Sequence, residues 1–457
     1  MVLADGRAEG KLCQGVTTEI NGNCGLSAAP LLGPALQQRD QELNALGITE
    51  RWATFEEYFS LVEKSRISLN LYTLAGHGNI RACVSGFQDR ELTKDEVRLA
   101  AGLLEEALKQ GAGGLSTGLI YPPGIYSSTD EIIALAAIAG RYGTVYTSHM
   151  RSEGAQLVES VKEVLRIGKE AQVNVHISHL KTSGEKNWNK LANVMQMIDD
   201  ACHMGMKVTC DRYPYTASAT DLDSILPGWV FEGGKSGELK TIEEHKQRIK
   251  AELTQEYLDP AYWGQIMISS VRTEKNSWML GKRVSEIASI VQIDPSDLVL
   301  NLLLQEELDV GAIFFTMSDK NLETILKKKY TAIGSDSSAR SFDGVTAAGM
   351  PHPRGFGSFP RVLGEFVRER GVLSLSEAVY KMTGLPASIF GLKDRGRLAK
   401  GFFADITVFF PDTIADRAEY CDPFKKPDGI SHVFVNGMPA IRDGLVTGFM
   451  TGRVLRR

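Results

Sequence analysis

Four segments of this 457-residue chain end alike, and their spacing limits the folds open to it. GLSTGLIY, VYTSHMR, NVHISHLK and VTCDRYPY each read as a short strand that stops at a polar cluster. Ser116, His149, His179 and Tyr213 mark these ends, at intervals of 33, 30 and 34 residues. Between the second and third lies LVESVKEVLRIGKEA (157–171), with Leu157, Val161, Val164 and Leu165 at helical spacing. Each interval holds one strand and one helix, the repeat of an α/β barrel; a doubly wound sheet fits less specifically.

The rest of the chain extends this pattern. MVLADGRAEGKL reads as a helix already under way, and GVTTEINGNCG (15–25) as a strand stopping at a Gly/Asn turn that holds Cys24. RISLNLYTLAGHG (66–78) is a second strand, ending near His77. TKDEVRLAAGLLEEALKQG (93–111) is a helix with Thr93 and Glu96 at capping-box spacing and an apolar stripe through Val97, Ala100, Leu104 and Leu108. The next strand end, in YTAIGSDSS (330–338), places Asp336 123 residues after Tyr213, too far for one unit. An inserted subdomain is therefore expected at about 221–300, with a charged helix at 243–257; QIMISSV and GAIFFTM add strand-like runs. Beyond Gly396 the pattern becomes short strands and turns (ADITVF, SHVFVNG, GRVL), a small all-β module over 396–457. The expectation is a TIM-like (β/α)8 barrel over 1–395 with seven strands, the first one absent.

Net charge −5 leaves no basic footprint, which argues against nucleic acid and anionic membrane surfaces as partners. No apolar run reaches the length of a membrane span and no signal peptide is recognisable, so a cytoplasmic location is expected. The six cysteines (13, 24, 83, 202, 210, 421) form no C-x-x-C pair, which favours reduced thiols.

Carboxyl ends of barrel strands are where catalytic side chains gather. A lone strand-end histidine is more often a core or surface residue, but the equivalent placement of His149 and His179 strengthens a ligand reading. His176 and His179 are three apart and should face opposite sides of a strand, so His176 is read as structural. His77 is read as structural or supporting; His203, His245 and His432 carry no signal. Cys24 alone is most simply a small buried residue, and Asp336 in GSDS could be a helix N-cap. Together the strand ends offer Cys24, His149, His179 and Asp336. Three protein ligands with an open position is the pattern of catalytic zinc, and Cys/His ligands favour zinc over magnesium or calcium. A nearby carboxylate can relay the proton of an attacking water.

GVTTEINGNCG, GLSTGLIYPPG, TSHMRSEG, HISHLKTSGEKNW, DRYPYTAS, RTEKN, GSDSS, HPRGFGSFPRVLG and FGLKDRGRLAKGFFADITVF occur here in one order. With them the chain resembles the N-acyl-D-amino-acid deacylases (D-aminoacylases) of the amidohydrolase superfamily, over essentially its whole length. The resemblance implies zinc-dependent hydrolysis of N-acyl-D-amino acids, small-molecule substrates, to a carboxylate and a free D-amino acid. It implies a tight Zn2+ site of Cys24, His149 and His179, and Asp336 as general base and acid that also touches a second, weaker metal position. It implies that Lys181, Tyr213 and Arg354 hold the substrate carboxylate, a role their donors suit. It makes 396–457 the C-terminal part of a β-sandwich.

Two departures stand out. Where some relatives carry a serine after the YPY motif this chain has Ala219 and Thr220, and the H-x-H motif that ends the family's first barrel strand is missing. The second departure bears on the weaker metal position and favours a start-site artefact or fragment over a functional short form, so an inactive truncated deacylase is one alternative. The other is a cyclic amidase of the hydantoinase or dihydroorotase type, disfavoured because STGLIY has no lysine to bridge two metals.

Overall fold

The computed structural model describes residues 1–457. Its centre is a parallel α/β barrel of seven strand positions. The chain enters through β1 (Thr18–Asn21) and runs through β2 (Asn70–Thr73), which continues past Leu74 into β3 (Ala75–Gly76). Next come β4 (Gly114–Gly118), β5 (Val145–His149), β6 (Asn174–Ile177) and β7 (Val208–Arg212). After the insertion described below, β11 (Thr331–Ile333) pairs in parallel with β7, Thr331 opposite Cys210. The hydrogen-bonded orders are β1–β2 and β3–β4–β5–β6–β7–β11. β1 and β11 are the two free edges, and a cavity of about 940 Å³ lined by both fills the seam between them.

Amphipathic helices cover the outside. The helix Lys94–Lys109 starts on the reciprocal Thr93/Glu96 capping box and buries Ala100, Leu104 and Leu108. The helix Leu157–Ala171 buries Leu157, Val161 and Val164, with Leu165 partly buried against the same core. Burial at these positions is what fixes the helices, since propensity alone leaves segments this short marginal in water.

The insertion is an antiparallel sheet of β8 (Ser218–Asp221), β9 (Ile266–Val271) and β10 (Val310–Phe314) in the order β8–β10–β9. Its separate core includes Ile249, Leu253, Ile287 and Leu303. It reaches further on both sides than the 221–300 read from the sequence, because β8 begins a few residues after Tyr213 and β10 closes the sheet. Its charged helix runs Gly234–Glu256. No single helix is long and apolar enough to cross a membrane.

At the C-terminus, β12 (Ile406–Phe409), β13 (Ile430–Val435), β14 (Met438–Arg442) and β15 (Leu445–Val446) form one four-stranded antiparallel sheet. GRVL does not join it: β16 (Val454–Leu455) returns to the barrel and pairs in parallel with β2, Val454 opposite Leu71. The opening stretch also differs from its expected form, since only Glu9–Leu12 is helical. Asp5 accepts from the Arg7 backbone N–H at 3.0 Å, and Ala8 adopts φ 45°, so the chain turns where a helix would have continued.

Leu104 is fully buried and Leu99, on the same helix, is 63% exposed. Leu104→Ala should cost about 2–5 kcal/mol in urea unfolding, and Leu99→Ala less than about 0.5 kcal/mol. Equal costs would contradict the facing of this helix.

Candidate metal centre and active site

Three strand ends bring Cys24, His149 and His179 together, with their ligand atoms all within 4.8 Å of one another. Cys24 Sγ lies 3.3 Å from His179 Nε2, and the two imidazole centroids are 4.4 Å apart at 77°. His149 and His179 are almost wholly buried. Both ring nitrogens of His149 lack any hydrogen-bond partner. A buried polar group left unpaired costs about 1–3 kcal/mol, and a metal ion in the cluster would satisfy one of these nitrogens. A soft thiolate with two imidazoles is a donor set that fits zinc.

The backbone is bent to make this possible. Cys24, His179 and Asp336 all have left-handed conformations, with φ of 55°, 39° and 46°. Such conformations are costly for residues with a side chain and persist only where the surroundings hold them. Gly25 (φ 75°) and Gly118 let the Cys24 turn lie directly on the end of β4; a Cβ on Gly118 would sit 2.1 Å from the Cys24 carbonyl oxygen. At His179, the backbone N–H donates to Asp211 Oδ1 at 2.9 Å. The other Asp211 oxygen pairs with His176 Nε2 at 2.8 Å, while His176 Nδ1 meets Thr209 Oγ1 at 2.8 Å. His176 thus lies outside the cluster and braces the turn that presents His179. His77 is sequestered in a buried network with Glu131, 2.9 Å away, and Arg81.

Glu153 gave no signal in the sequence beyond its place in TSHMRSEG, yet it is central here. Its Oε1 lies 2.9 Å from His179 Nδ1 and also contacts Lys181 Nζ, which itself is 2.8 Å from His179 Nδ1. With Nδ1–H donating to the carboxylate, Nε2 is left free on the Cys24 side. Burial opposes the charge on Glu153, but Lys181, with His179, holds its carboxyl well below the usual range. Burial, reinforced by His179, pushes His149 down to about 3, so its imidazole is neutral as a ligand must be. Burial pushes the Cys24 thiol up, with His179 pulling the other way.

Asp336 stands beside the cluster, 2.7 Å from Arg354 Nη1. Burial works against its charged form, but Arg354, then His179 and Lys181, hold its carboxyl below the ordinary value. Arg354 lies 4.6 Å over the Tyr213 ring and donates to the Ala219 carbonyl at 3.2 Å; Lys181 Nζ lies 5.9 Å from the same ring. The Tyr213 hydroxyl is buried without a partner. The structure therefore gathers Lys181, Tyr213 and Arg354 on one side of the cluster, two cations paired with Glu153 and Asp336 beside an unpaired phenol. Thr220 Oγ1 bonds Tyr121 OH at 3.0 Å, and the Tyr121 ring edge lies against His149, centroids 5.0 Å apart.

His352 secures this side. One ring nitrogen, Nε2, donates to the Ala217 carbonyl at 2.9 Å, and Nδ1 accepts from the Arg354 backbone N–H at 3.0 Å. Burial, reinforced by Arg354, keeps it neutral far below its ordinary titration range.

The general amidohydrolase family pattern matches residues 267–440. The D-aminoacylase of Alcaligenes xylosoxydans xylosoxydans is 34% identical over 449 residues, 98% of this chain and 82% of that protein. The N-acyl-D-glutamate deacylase of the same organism is 35% identical over 457 residues, again 98% and 82%. The solved structure of N-acyl-D-glutamate deacylase from Bordetella bronchiseptica, complexed with zinc and a phosphonate mimic of the tetrahedral intermediate, matches with a TM-score of 0.81. That match is at 32% identity and covers 100% of this chain and 86% of the other.

Two outcomes follow from the geometry. Glu153→Gln should weaken zinc binding about 10–100-fold in competition with a chromophoric chelator; unchanged affinity would remove Glu153 from the support of His179. His352 is neutral when folded but takes up a proton near 6.5 when unfolded, so protons favour the unfolded chain. Its contribution is intact above that value and is lost as pH falls, by at most about 1.4 kcal/mol per pH unit. Urea midpoints measured from about pH 7.5 to about pH 5.5 should therefore fall more steeply in the wild type than in His352→Gln. Parallel curves would show that His352 carries no such linkage.

Proposed function

Since the chain belongs to the D-aminoacylase family of amidohydrolases and is a hydrolase, we propose that it cleaves the amide bond of N-acyl-D-amino acids, releasing a carboxylate and a free D-amino acid. The observation that carries this reading is the buried Cys24/His149/His179 cluster, with its orphaned imidazole nitrogens, set between Asp336 and the Lys181, Tyr213 and Arg354 donors. One zinc ion held by the thiolate and the two imidazoles would supply Lewis-acid chemistry, polarising the acyl carbonyl and acidifying water.

The remaining work falls to side chains of this chain. Lys181, Tyr213 and Arg354 hold the α-carboxylate of the substrate, the Tyr213 hydroxyl gaining in the complex the partner it lacks here. This fixes the scissile amide relative to Asp336, an orientation effect on the barrier. The Asp336 carboxylate, kept ionised by Arg354 and its other cationic neighbours, accepts the proton of the attacking water at Oδ and returns it to the departing amide nitrogen. Glu153 holds His179 through Nδ1 and neutralises Lys181, so that the cationic side is not over-charged before substrate arrives. The six free cysteines suit a reducing compartment, which supports a cytoplasmic location.

The test uses purified chain, assayed for zinc and for release of amine from N-acetyl-D-methionine and its L enantiomer. Bound zinc near one equivalent and hydrolysis of the D form only are expected. Asp336→Ala should lower kcat about 100-fold or more with zinc retained. Hydrolysis of the L form at an equal rate, or an Asp336→Ala variant of near-normal activity, would overturn the assignment.

A further inference from the structure

Lys11 takes no part in the arrangement above, yet it enters the Asp336 loop from across the open seam. It sits in the single helical turn Glu9–Leu12 and is 3% exposed. A lysine this buried must spend its three donors on fixed partners. Its Nζ donates to Ser335 Oγ at 2.5 Å and to the Ser337 carbonyl oxygen at 2.6 Å, and lies 3.7 Å from the Glu19 carboxylate. The two bonded residues are the immediate neighbours of Asp336, whose own φ is 46°.

We propose that Lys11 is a positioning residue that clamps the Ser335–Asp336–Ser337 turn, so that the Asp336 carboxylate is presented to the Cys24/His149/His179 cluster. The proposal rests on the reading of Asp336 as the general base. Two anchors define the turn. Arg354 takes hold of the carboxylate itself, 2.7 Å from Oδ2. Lys11 holds the residues on both sides of it, Ser335 through its hydroxyl and Ser337 through its backbone carbonyl. Neither anchor replaces the other, because a left-handed aspartate released at its flanks has a lower-energy backbone region to relax into. Relaxation would move the carboxylate while leaving the three cluster residues in place, since none of them shares a hydrogen bond or ion pair with Lys11. Misplacement by about 1 Å is enough to cost on the order of 100-fold in rate.

Lys11→Met keeps the length and apolar stem and removes the hydrogen bonds together with the charge that faces Glu19. Its crystal structure should show the Ser335–Ser337 turn displaced from the left-handed conformation at Asp336, with Cys24, His149 and His179 unmoved. In the assay above, kcat should fall about tenfold or more, KM should change less than about twofold, and zinc content should stay at the wild-type level. Ser335→Ala removes one of the two bonds from the other side and should give a smaller loss; adding it to Lys11→Met should cost no more than Lys11→Met alone. An unchanged turn in the Lys11→Met crystal structure overturns the proposal whatever the kinetics, as do independent, additive losses in the double variant. If Lys11→Met does not fold, Ser335→Ala with wild-type kcat and an unmoved Asp336 overturns it equally. Failure of the general-base reading is separate, because it shows as retained activity in Asp336→Ala.

Discussion

The site depends on the register of the parallel strands. Gly118 of β4 lies opposite His149 of β5, and Ser148 of β5 opposite Ile177 of β6. His149 is thus the last residue of its strand, and His179 arrives two residues past the end of the next. The turn at His179, with φ 39°, swings its ring back towards His149. The same register puts a glycine where the Cys24 turn must rest. A slip of one residue along β5 would turn His149 to the other face of the sheet, since successive strand side chains alternate. Convergence of the thiol and two imidazoles is therefore a property of the ladder, and the strained turns at Cys24, His179 and Asp336 complete it.

Charge balance is the second constraint. Lys181, Arg354 and Lys11 are each less than a tenth exposed, as is His179. Isolated, each would be costly to bury. Each has a carboxylate within reach: Glu153 for Lys181 and His179, Asp336 for Arg354, Glu19 for Lys11. The pairing of Arg354 with Asp336 links the proposed carboxylate-binding side to the proposed proton carrier, so in that proposal substrate binding and proton transfer draw on the same guanidinium. That coupling gives Arg354 a stake in both KM and kcat.

Much of this was legible in the sequence because barrel geometry converts sequence intervals into spatial neighbours. The strand ends at Cys24, His149, His179 and Asp336 could be read as converging before any coordinates, and the stripe of Ala100, Leu104 and Leu108 needs only helical spacing. Glu153, Asp211 and Lys11 could not be read the same way. In the sequence each is one of 107 Lys, Arg, Asp and Glu residues, 51 basic and 56 acidic, and nothing local separates a buried carboxylate from a solvated one. Their significance is set by long-range contacts: Glu153 reaches a histidine on the next unit, and Lys11 a loop over 300 residues away. GRVL was misplaced for a related reason. Its apolar residues fit either sheet, and only pairing with β2 decides between them.

The open seam shows how these contacts hold the barrel. β1 and β11 leave unpaired edges, which in a barrel would otherwise be joined by ladder hydrogen bonds. Segments outside the strands span the gap. The Gly10 backbone N–H donates to the Arg340 carbonyl at 2.8 Å, Gln14 Nε2 to the Gly355 carbonyl at 2.8 Å, and Arg7 pairs with Asp343 at 2.6 Å. Beneath these, Ala8, Leu12 and Cys13 form an apolar cluster with Ala339 and with Val433, Val435 and Ile441 of the C-terminal sheet. The residues before β1 thus bind those after β11 through side chains and turns, and Lys11 lies in the middle of that seam. Such a closure is less uniform than a ladder, because it concentrates the cross-link at the end of the barrel where Asp336 lies. The region that joins the two edges is therefore also the region that holds the residues flanking Asp336.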